Sequence, residues 1–244
     1  MGWKKQARKN KTQLTTFDLL EKRHHVQSYI RGKIPPKEYI ESALWKAWKT
    51  TPSKNNAMAY EVLVWGPEQK LKKEAIHSLC VKNHKETEDR AARLGLINKT
   101  QGGVANPYYE HIKNNPYLIT IHSRIAFPNL FYQKQITEGH FYDQSHNPDN
   151  IIDSVAVEVG MFAANLTNYL LESGLDMSYN GCFKRNVKEW HNVGLHEVRQ
   201  RSILMMSCGY AQRYRREDLI DRGQEDWDIK PEPDEIIKWV LSHE

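Results

Sequence analysis

The sequence predicts an α+β protein in which helices cover a sheet without regular βαβ alternation. The longest helical pattern, from Ile152 to Leu171, is apolar or small on most sides. Three shorter runs rich in β-branched and aromatic residues indicate strands: Glu61 to Trp65, Asn115 to His122 and Ser202 to Cys208. Because helical and strand-like segments follow one another in mixed order, an α+β sandwich is favoured over a doubly wound parallel sheet.

The segment from Ile152 to Leu171 indicates a helix that is buried on all sides, because it has no wide polar face. Ser173-Gly174 is a suitable C-cap at which it would end. In a chain of this size, we expect the domain core to cover one side and a second subunit the other. Glu158 is a charged exception, and two roles stay open for it: a catalytic acid, or the partner of a cation across a dimer interface.

Start and stop signals predict two helices before the first strand. Thr16 is a plausible N-cap for the first helix. The second opens at Pro36, because proline suits a first helical turn. Its periodicity predicts one apolar face of Ile40, Leu44, Ala47 and Trp48. A polar loop that begins at Pro52 follows, of the kind at which ligands often bind.

The remaining helices are expected over residues 69–80, 86–94 and 233–241. A mobile loop is expected after the second of these, up to Gly103. The aromatic-rich and irregular stretch from Phe127 to Asn150 is interpreted as a lid.

The charge of the chain is unevenly distributed. The formal net charge is +5 over 244 residues, and a basic run without acids precedes Asp18. We expect residues 1–15 to form a disordered basic arm, residues 16–223 the folded domain, and residues 224–244 an acidic extension with a short helix. Nucleic-acid binding by the arm is not favoured, because Trp3 is its only aromatic residue.

Membrane insertion, secretion and metal binding are not indicated. No run of eighteen apolar residues is present, and the basic N-terminus lacks an apolar signal region. The three cysteines form no CxxC motif and favour a reducing cytoplasm. His24 and His25 are adjacent, so on a helix they would point apart, and no third ligand is suitably spaced.

Four short pieces carry a resemblance to a known family. They are Arg23-His24-His25-Val26-Gln27; Pro52-Ser53 with Asn56; Gly174-Leu175 leading to Gly181-Cys182-Phe183; and Gly209-Tyr210 followed by Arg213, Arg215 and Arg216. Together with the order of helices and strands, they resemble the nitroreductase family of FMN-dependent oxidoreductases over roughly residues 17–220. The resemblance implies a three-layer sandwich with a mixed, mostly antiparallel sheet. It also implies a homodimer whose long central helices pack against each other, with FMN at the interface.

The first piece occupies the place of the family's phosphate motif, Arg-x-Ser-x-Arg or -Lys. Arg23 matches its arginine, and a guanidinium binds two phosphate oxygens in a fork. His25 stands at the serine position and can still donate to phosphate. Gln27 replaces the second cation, which in relatives lies near the flavin N1–C2=O edge. A neutral donor stabilises the negative charge of reduced flavin less, so we expect a lower two-electron potential.

The other pieces imply contacts to the flavin ring and the phosphate. The loop of Pro52, Ser53, Lys54 and Asn56 would cradle the ring of the partner subunit's cofactor, although Met58-Ala59 replaces the family's Gln-Pro. A backbone N–H of Gly181 or Cys182 would address flavin N5. Three basic residues fall near the family's C-terminal phosphate-binding pair: Arg213, Arg215 and Arg216.

Each piece also has an interpretation that needs no cofactor. Arg23 could be a cation at a helix C-terminus, and Pro52-Ser53 could simply end a helix. Residues 213–216 could be a solvated charge run. Cys182, with no adjacent base, is typical of a small buried hydrophobic residue.

The resemblance predicts a cytoplasmic, homodimeric FMN oxidoreductase. It would take hydride from NAD(P)H and reduce a nitroaromatic, quinone or similar acceptor. Two alternatives stay open: a specialised dehalogenating or flavin-consuming relative, and a non-catalytic dimeric scaffold that has lost FMN.

Overall fold

The computed structural model describes residues 15, 18, 20–21, 23–95, 110–125, 130, 133–134, 148–221, 223 and 230–237. The strands are β1 (Val26–Tyr29), β2 (Tyr60–Trp65), β3 (Tyr117–Ser123), β4 (Asp176–Asn180), β5 (Ser202–Gly209) and β6 (Ala211–Tyr214). The helices are α1 (Lys37–Thr50), α2 (Lys70–Arg93), α3 (Glu110–Asn114), α4 (Pro148–Glu172), α5 (Val187–Asn192), α6 (Arg215–Asp221) and α7 (Pro233–Ile236). All three predicted strands are confirmed.

Four strands form an antiparallel sheet in the order β2-β3-β5-β4. Strand β3 is central and buried except for its last residue. Its side chains alternate between two apolar clusters, as the two-residue period of a strand requires. Ile119 and Ile121 belong to the cluster that includes residues of α1 and α4, and Leu118 to the cluster that includes residues of α2, α3 and α5. Helices therefore cover both faces, and the predicted α+β three-layer sandwich is confirmed.

Helix α4 extends the predicted central helix by a few residues at its start. Val155, Val159, Phe162 and Leu166 are buried at the spacing of one helical face. Gly174, with φ of +73°, ends the helix in a Schellman arrangement, in which Leu175 N–H donates to Leu170 O at 3.0 Å. The opposite face is exposed at Ala156, Val157, Gly160 and Ala164, so the described part of the chain covers one side.

Two helix predictions were wrong in their bounds. Helix α2 is continuous over Lys70–Arg93, where the sequence suggested two shorter helices. No glycine or proline interrupts residues 81–85, and the Lys82–Glu189 ion pair of 2.6 Å ties this polar half to α5. The last helix ends at Ile236, and Ile237 is already extended, since consecutive β-branched residues favour that conformation.

The segment predicted to form a helix from Thr16 is described only at residues 15, 18 and 20–21. Thr15 Oγ1 accepts from Asp18 N–H at 3.2 Å, and the Asp18 carboxylate accepts from Thr15 N–H at 2.7 Å. This reciprocal pair is a capping box. Thr16, the residues 1–14 of the predicted arm, and most of the predicted lid lie outside the described residues.

Strands β1 and β6 form a separate antiparallel ribbon, which polar side chains fix to the main sheet. Asp176 on β4 accepts from Ala211 N–H at 3.0 Å and from the Tyr214 hydroxyl at 2.9 Å. The Tyr29 hydroxyl lies 2.8 Å from Ser207 Oγ on β5. The ribbon thus has a fixed place beside the β5–β4 side of the sheet.

Candidate functional site

The β1–β6 ribbon brings the first and last predicted phosphate-binding pieces together. Val26 pairs with Tyr214, so Arg23-His24-His25 lies immediately before β1 and beside the end of β6. The rings of His24 and Tyr214 meet edge to face, with centroids 5.4 Å apart. Residues almost two hundred positions apart in sequence therefore share one end of the ribbon.

Arg23 also lies near the third predicted piece. Burial raises the pKa of Tyr179, and the Arg23 guanidinium is close enough to oppose that shift. Tyr179 directly precedes Asn180-Gly181-Cys182 on the chain. Three of the four pieces therefore converge at the ribbon and the end of β4.

Among the C-terminal basic residues, Arg213 on β6 already binds residues of helix α6. The Arg213 guanidinium forms an ion pair with Asp221 and donates to Glu217 O at 3.3 Å. A phosphate at this place would share Arg213 with Asp221, which the five N–H donors of a guanidinium allow. Arg216 is exposed, and the side chain of Arg215 is outside the described residues.

His25 and Gln27 sit at the positions from which the family's motif would reach the cofactor. The His25 ring lies 6.1 Å from the ring of His111 on α3, edge to face. Gln27 is in the middle of β1, and its side chain is outside the described residues.

The two backbone N–H groups predicted to address flavin N5 are not equivalent. Cys182 N–H already donates to the Asn180 side-chain oxygen at 2.7 Å. Gly181 is exposed, and a Cβ added there would meet only the end of the Arg185 side chain, at 3.6 Å. Gly181 therefore offers open backbone to a ligand. Cys182 is exposed, so its interpretation as a buried hydrophobic residue was wrong.

The Pro52 loop is anchored on helix α4 by Glu158. Ser53 Oγ donates to Glu158 Oε2 at 2.8 Å, and Lys54 N–H donates to Glu158 Oε1 at 2.9 Å. Ser53 Oγ also accepts from Met58 N–H at 2.8 Å. These bonds account for the burial of the carboxylate within the chain, without a catalytic role or a cation from a second subunit.

Two residues of this loop adopt a conformation that L side chains rarely take. Asn56 has φ of +50° and Met58 has φ of +48°. Asparagine tolerates the left-handed region, whereas for methionine it is strained. Strain of this kind clusters at ligand-binding segments, and the Met58 position is also where the sequence departs from the family's glutamine.

The loop and strand β4 contact different levels of helix α4. The loop contacts Glu158, whereas Thr167 reaches the hydroxyl of Tyr179, next to Arg23. Nine residues of helix correspond to about 13 Å.

An aromatic groove beside the loop was not predicted from the sequence. It has a volume of about 640 Å³, and its lining includes Trp45, Trp48, Tyr60 and Phe162. Trp48 was predicted to face the core, but it is 47% exposed, and the core face of α1 is Ile40, Ala43 and Ala47. The amphipathic period assigned Trp48 to the apolar face of α1, although its side chain lies at the edge of that face.

Two negative observations apply to the described part of the chain. None of its helices combines the length and apolarity needed to cross a lipid bilayer. Within it, no three histidine, cysteine or acidic side chains converge as metal ligands would.

Comparison with known proteins identifies the fold. No protein-family model and no curated protein matches the sequence. Among solved structures, the chain is similar to a protein described as a nitroreductase from Exiguobacterium sibiricum in complex with FMN. The TM-score is 0.61 and the sequence identity 14%, and the match covers 93% of this chain and 98% of that one. It is also similar to a protein described as an NAD(P)H:FMN oxidoreductase from Staphylococcus epidermidis, with a TM-score of 0.58, 13% identity, and coverage of 93% and 99%. A nitroreductase-like protein from Streptococcus mutans has a TM-score of 0.59, 14% identity, and coverage of 92% and 98%. The chain therefore has the nitroreductase fold.

Proposed function

We propose that this protein is an FMN-dependent oxidoreductase that transfers hydride from NAD(P)H to a nitroaromatic, quinone or similar acceptor. The observation that carries the proposal is the pairing of β1 with β6. In a chain with the nitroreductase fold, this pairing supports the proposal because it brings the segment that holds Arg23 and His25 and the strand that holds Arg213 into one ribbon, where the resemblance expects the cofactor phosphate.

The donor set at the ribbon fits a phosphate. Arg23 and Arg213 supply guanidinium groups, which bind phosphate oxygens in a planar fork. His25 lies two residues after Arg23 and can donate from its ring. Arg216 is the second residue of α6 and is exposed, so it adds a further cation.

Other residues of the chain would orient the cofactor and limit its motion. The exposed backbone at Gly181 would face N5, and the fixed bond between Cys182 N–H and Asn180 would hold that turn in place. When bound, FMN supplies reversible hydride acceptance at N5, so no acid or base from the protein is required.

The proposed active form is a homodimer. The outer face of α4 is exposed and carries Ala156, Val157, Gly160 and Ala164, with Val157 62% exposed. Small and apolar residues on such a face let a second helix approach closely. A second copy across it would let the Pro52 loop, anchored by Glu158, reach the partner's cofactor.

Two contacts favour a second candidate function, a dimeric scaffold without FMN. Arg213 already has a carboxylate partner in Asp221, and Cys182 N–H already has an acceptor in Asn180. If these contacts persist in solution, the site has fewer donors for a cofactor than the fold suggests. Gln27 stands where the family has a cation, and this replacement also favours the scaffold.

A visible absorption spectrum separates the two functions. The FMN enzyme should be purified yellow, or take up about one FMN per subunit, and anaerobic NADPH or NADH should bleach the flavin band. Arg23→Ala should weaken FMN retention, whereas Lys49→Ala, on the exposed side of α1, should not. A protein that is colourless and does not take up FMN would contradict the proposal and support the scaffold.

A further inference from the structure

A second cavity lies at the connection between β1 and α1. Its volume is about 660 Å³, within the range of sites for small molecules. It is lined by that connection, by the start of α2 and by α3 with the residues after it. Its ionisable lining side chains include Arg31, Lys33, Lys70, Lys73, Lys113 and Glu74.

The described lining is strongly cationic. Five lysine and arginine side chains from three segments face one carboxylate, Glu74. Helix α2 begins here with no acidic residue in its first turn, so the positive end of its dipole adds to the same field. Basic side chains on a convex surface are normally solvated, but here they line a concave volume, where opposing walls strengthen the field.

Lys73 is the fixed part of this wall. It is 2% exposed, and its Nζ donates to the backbone oxygens of Asn115 at 2.7 Å and Pro116 at 3.3 Å. Burial lowers its pKa to about 8, although the nearby Glu68 opposes that shift. At neutral pH the buried amine is therefore still mostly protonated, and the cavity keeps a permanent positive charge in its wall.

We propose that this cavity binds a small phosphorylated ligand that is recognised through its phosphate charge. Tyr29 is the aromatic residue of the described lining, and it is buried against Ser207, so it offers no open ring on which a base could stack. Exposed Arg31, Lys33 and Lys70 supply donors around the fixed Lys73, with Lys33 Nζ 4.1 Å from the centroid of the Tyr210 ring. This arrangement is suited to several phosphate oxygens.

This site is separate from the proposed FMN site but adjoins it. The described residues assigned to FMN phosphate, Arg23, His25 and Arg213, do not line the cavity. Ser28, which lines it, pairs with Arg213 across the ribbon.

The test is calorimetric titration of inorganic pyrophosphate into the full-length protein, at constant ionic strength and with saturating FMN. Arg31→Gln and Lys70→Gln should each weaken binding about tenfold, as expected for loss of one charge-assisted contact. Glu74→Gln should tighten it. Lys72→Gln is the matched control, because Lys72 is on the same helix but pairs with Glu197 outside the cavity, and it should leave binding unchanged.

Three results would overturn the inference. Absence of saturable binding would exclude the site. Equal weakening by Lys72→Gln would mean that an adventitious ion only is attracted by the net charge. Pyrophosphate binding that is present when FMN is omitted but lost at saturating FMN would show that the cavity is the flavin phosphate site itself. All three readouts are independent of whether the protein has oxidoreductase activity.

Discussion

The hydroxyl of Ser53 donates a 2.8 Å hydrogen bond to Oε2 of Glu158, which is 105 residues away in sequence. The same hydroxyl accepts from Met58 N–H, so one side chain connects the loop to helix α4 and closes the loop on itself. The resemblance assigned Ser53 to the flavin ring. The hydrogen bonds of Ser53 show that it positions the loop, and the loop in turn would contact the ring.

Removal of this hydroxyl should destabilise the protein. Ser53→Ala leaves the Met58 N–H and a carboxylate oxygen of Glu158 without their partner, which costs about 1–2 kcal/mol. Chemical unfolding of Ser53→Ala, Glu158→Gln and the double variant should show coupling between the two sites. Ser78→Ala, an exposed serine on α2, should have little effect. Additive effects at Ser53 and Glu158 would show that the bond does not contribute in solution.

Acid should destabilise the protein through His122. Burial lowers the pKa of His122 from 6.5 to about 4. Its neutral ring lies 2.8 Å from Thr120 Oγ1 and 2.8 Å from Ser202 Oγ. Because the folded-state pKa is depressed, its contribution is fully present above pH 6.5 and is lost as pH falls towards 4. The full effect corresponds to about 3 kcal/mol.

The measurement is the free energy of unfolding between pH 7 and 4 for the wild type and for His122→Gln. The variant should be less stable at pH 7 and should lose less stability on acidification. Glu61 lies opposite His122 in the β2–β3 pairing, so Glu61→Gln separates its titration from that of the imidazole. Parallel pH profiles for wild type and His122→Gln would rule out His122 as the titrating group.

The elements that were predicted correctly are those whose sequence signal lies within one short stretch of the chain. The apolar run in α4, its Gly174 stop and the β-rich segment of β3 each lie within one window of the chain, so periodicity and turn chemistry were sufficient. The bounds of α2 were wrong because high polarity after Cys80 resembled a loop, although nothing there breaks a helix. Polarity reports exposure, and an exposed helix is as polar as a loop.

Contacts between distant segments could not be predicted from residue patterns. The resemblance proposed that Arg23 and Arg213 act together, but only the pairing of β1 with β6 gives a physical reason why their two segments adjoin. The competing partners of Arg213 and Cys182, namely Asp221 and Asn180, had no signal in the motifs. The cationic cavity was equally hidden, because its lysines and arginine come from three separate segments.

The exposed face of α4 predicts a dimer that a single charge would disrupt. Val157→Asp would place a carboxylate in the proposed helix–helix contact, where it would have no partner. The mass in solution, measured by light scattering, should change from dimer to monomer. Leu71→Asp is the control, because Leu71 is 81% exposed on α2, on the other side of the sheet. A dimer that persists in Val157→Asp would place the interface elsewhere.

Asp221 should limit the affinity for FMN. Its carboxylate pairs with the Arg213 guanidinium, so a phosphate has to share that cation. Asp221→Asn removes the competing charge and should lower the FMN dissociation constant by about threefold to tenfold. Glu235→Gln, an exposed acid on α7, makes the same change in net charge and should leave the constant unchanged, which separates a local effect from long-range attraction. Equal affinities for wild type and Asp221→Asn, together with normal binding by Arg213→Ala, would remove Arg213 from the phosphate site and leave Arg23 and His25 as its described donors.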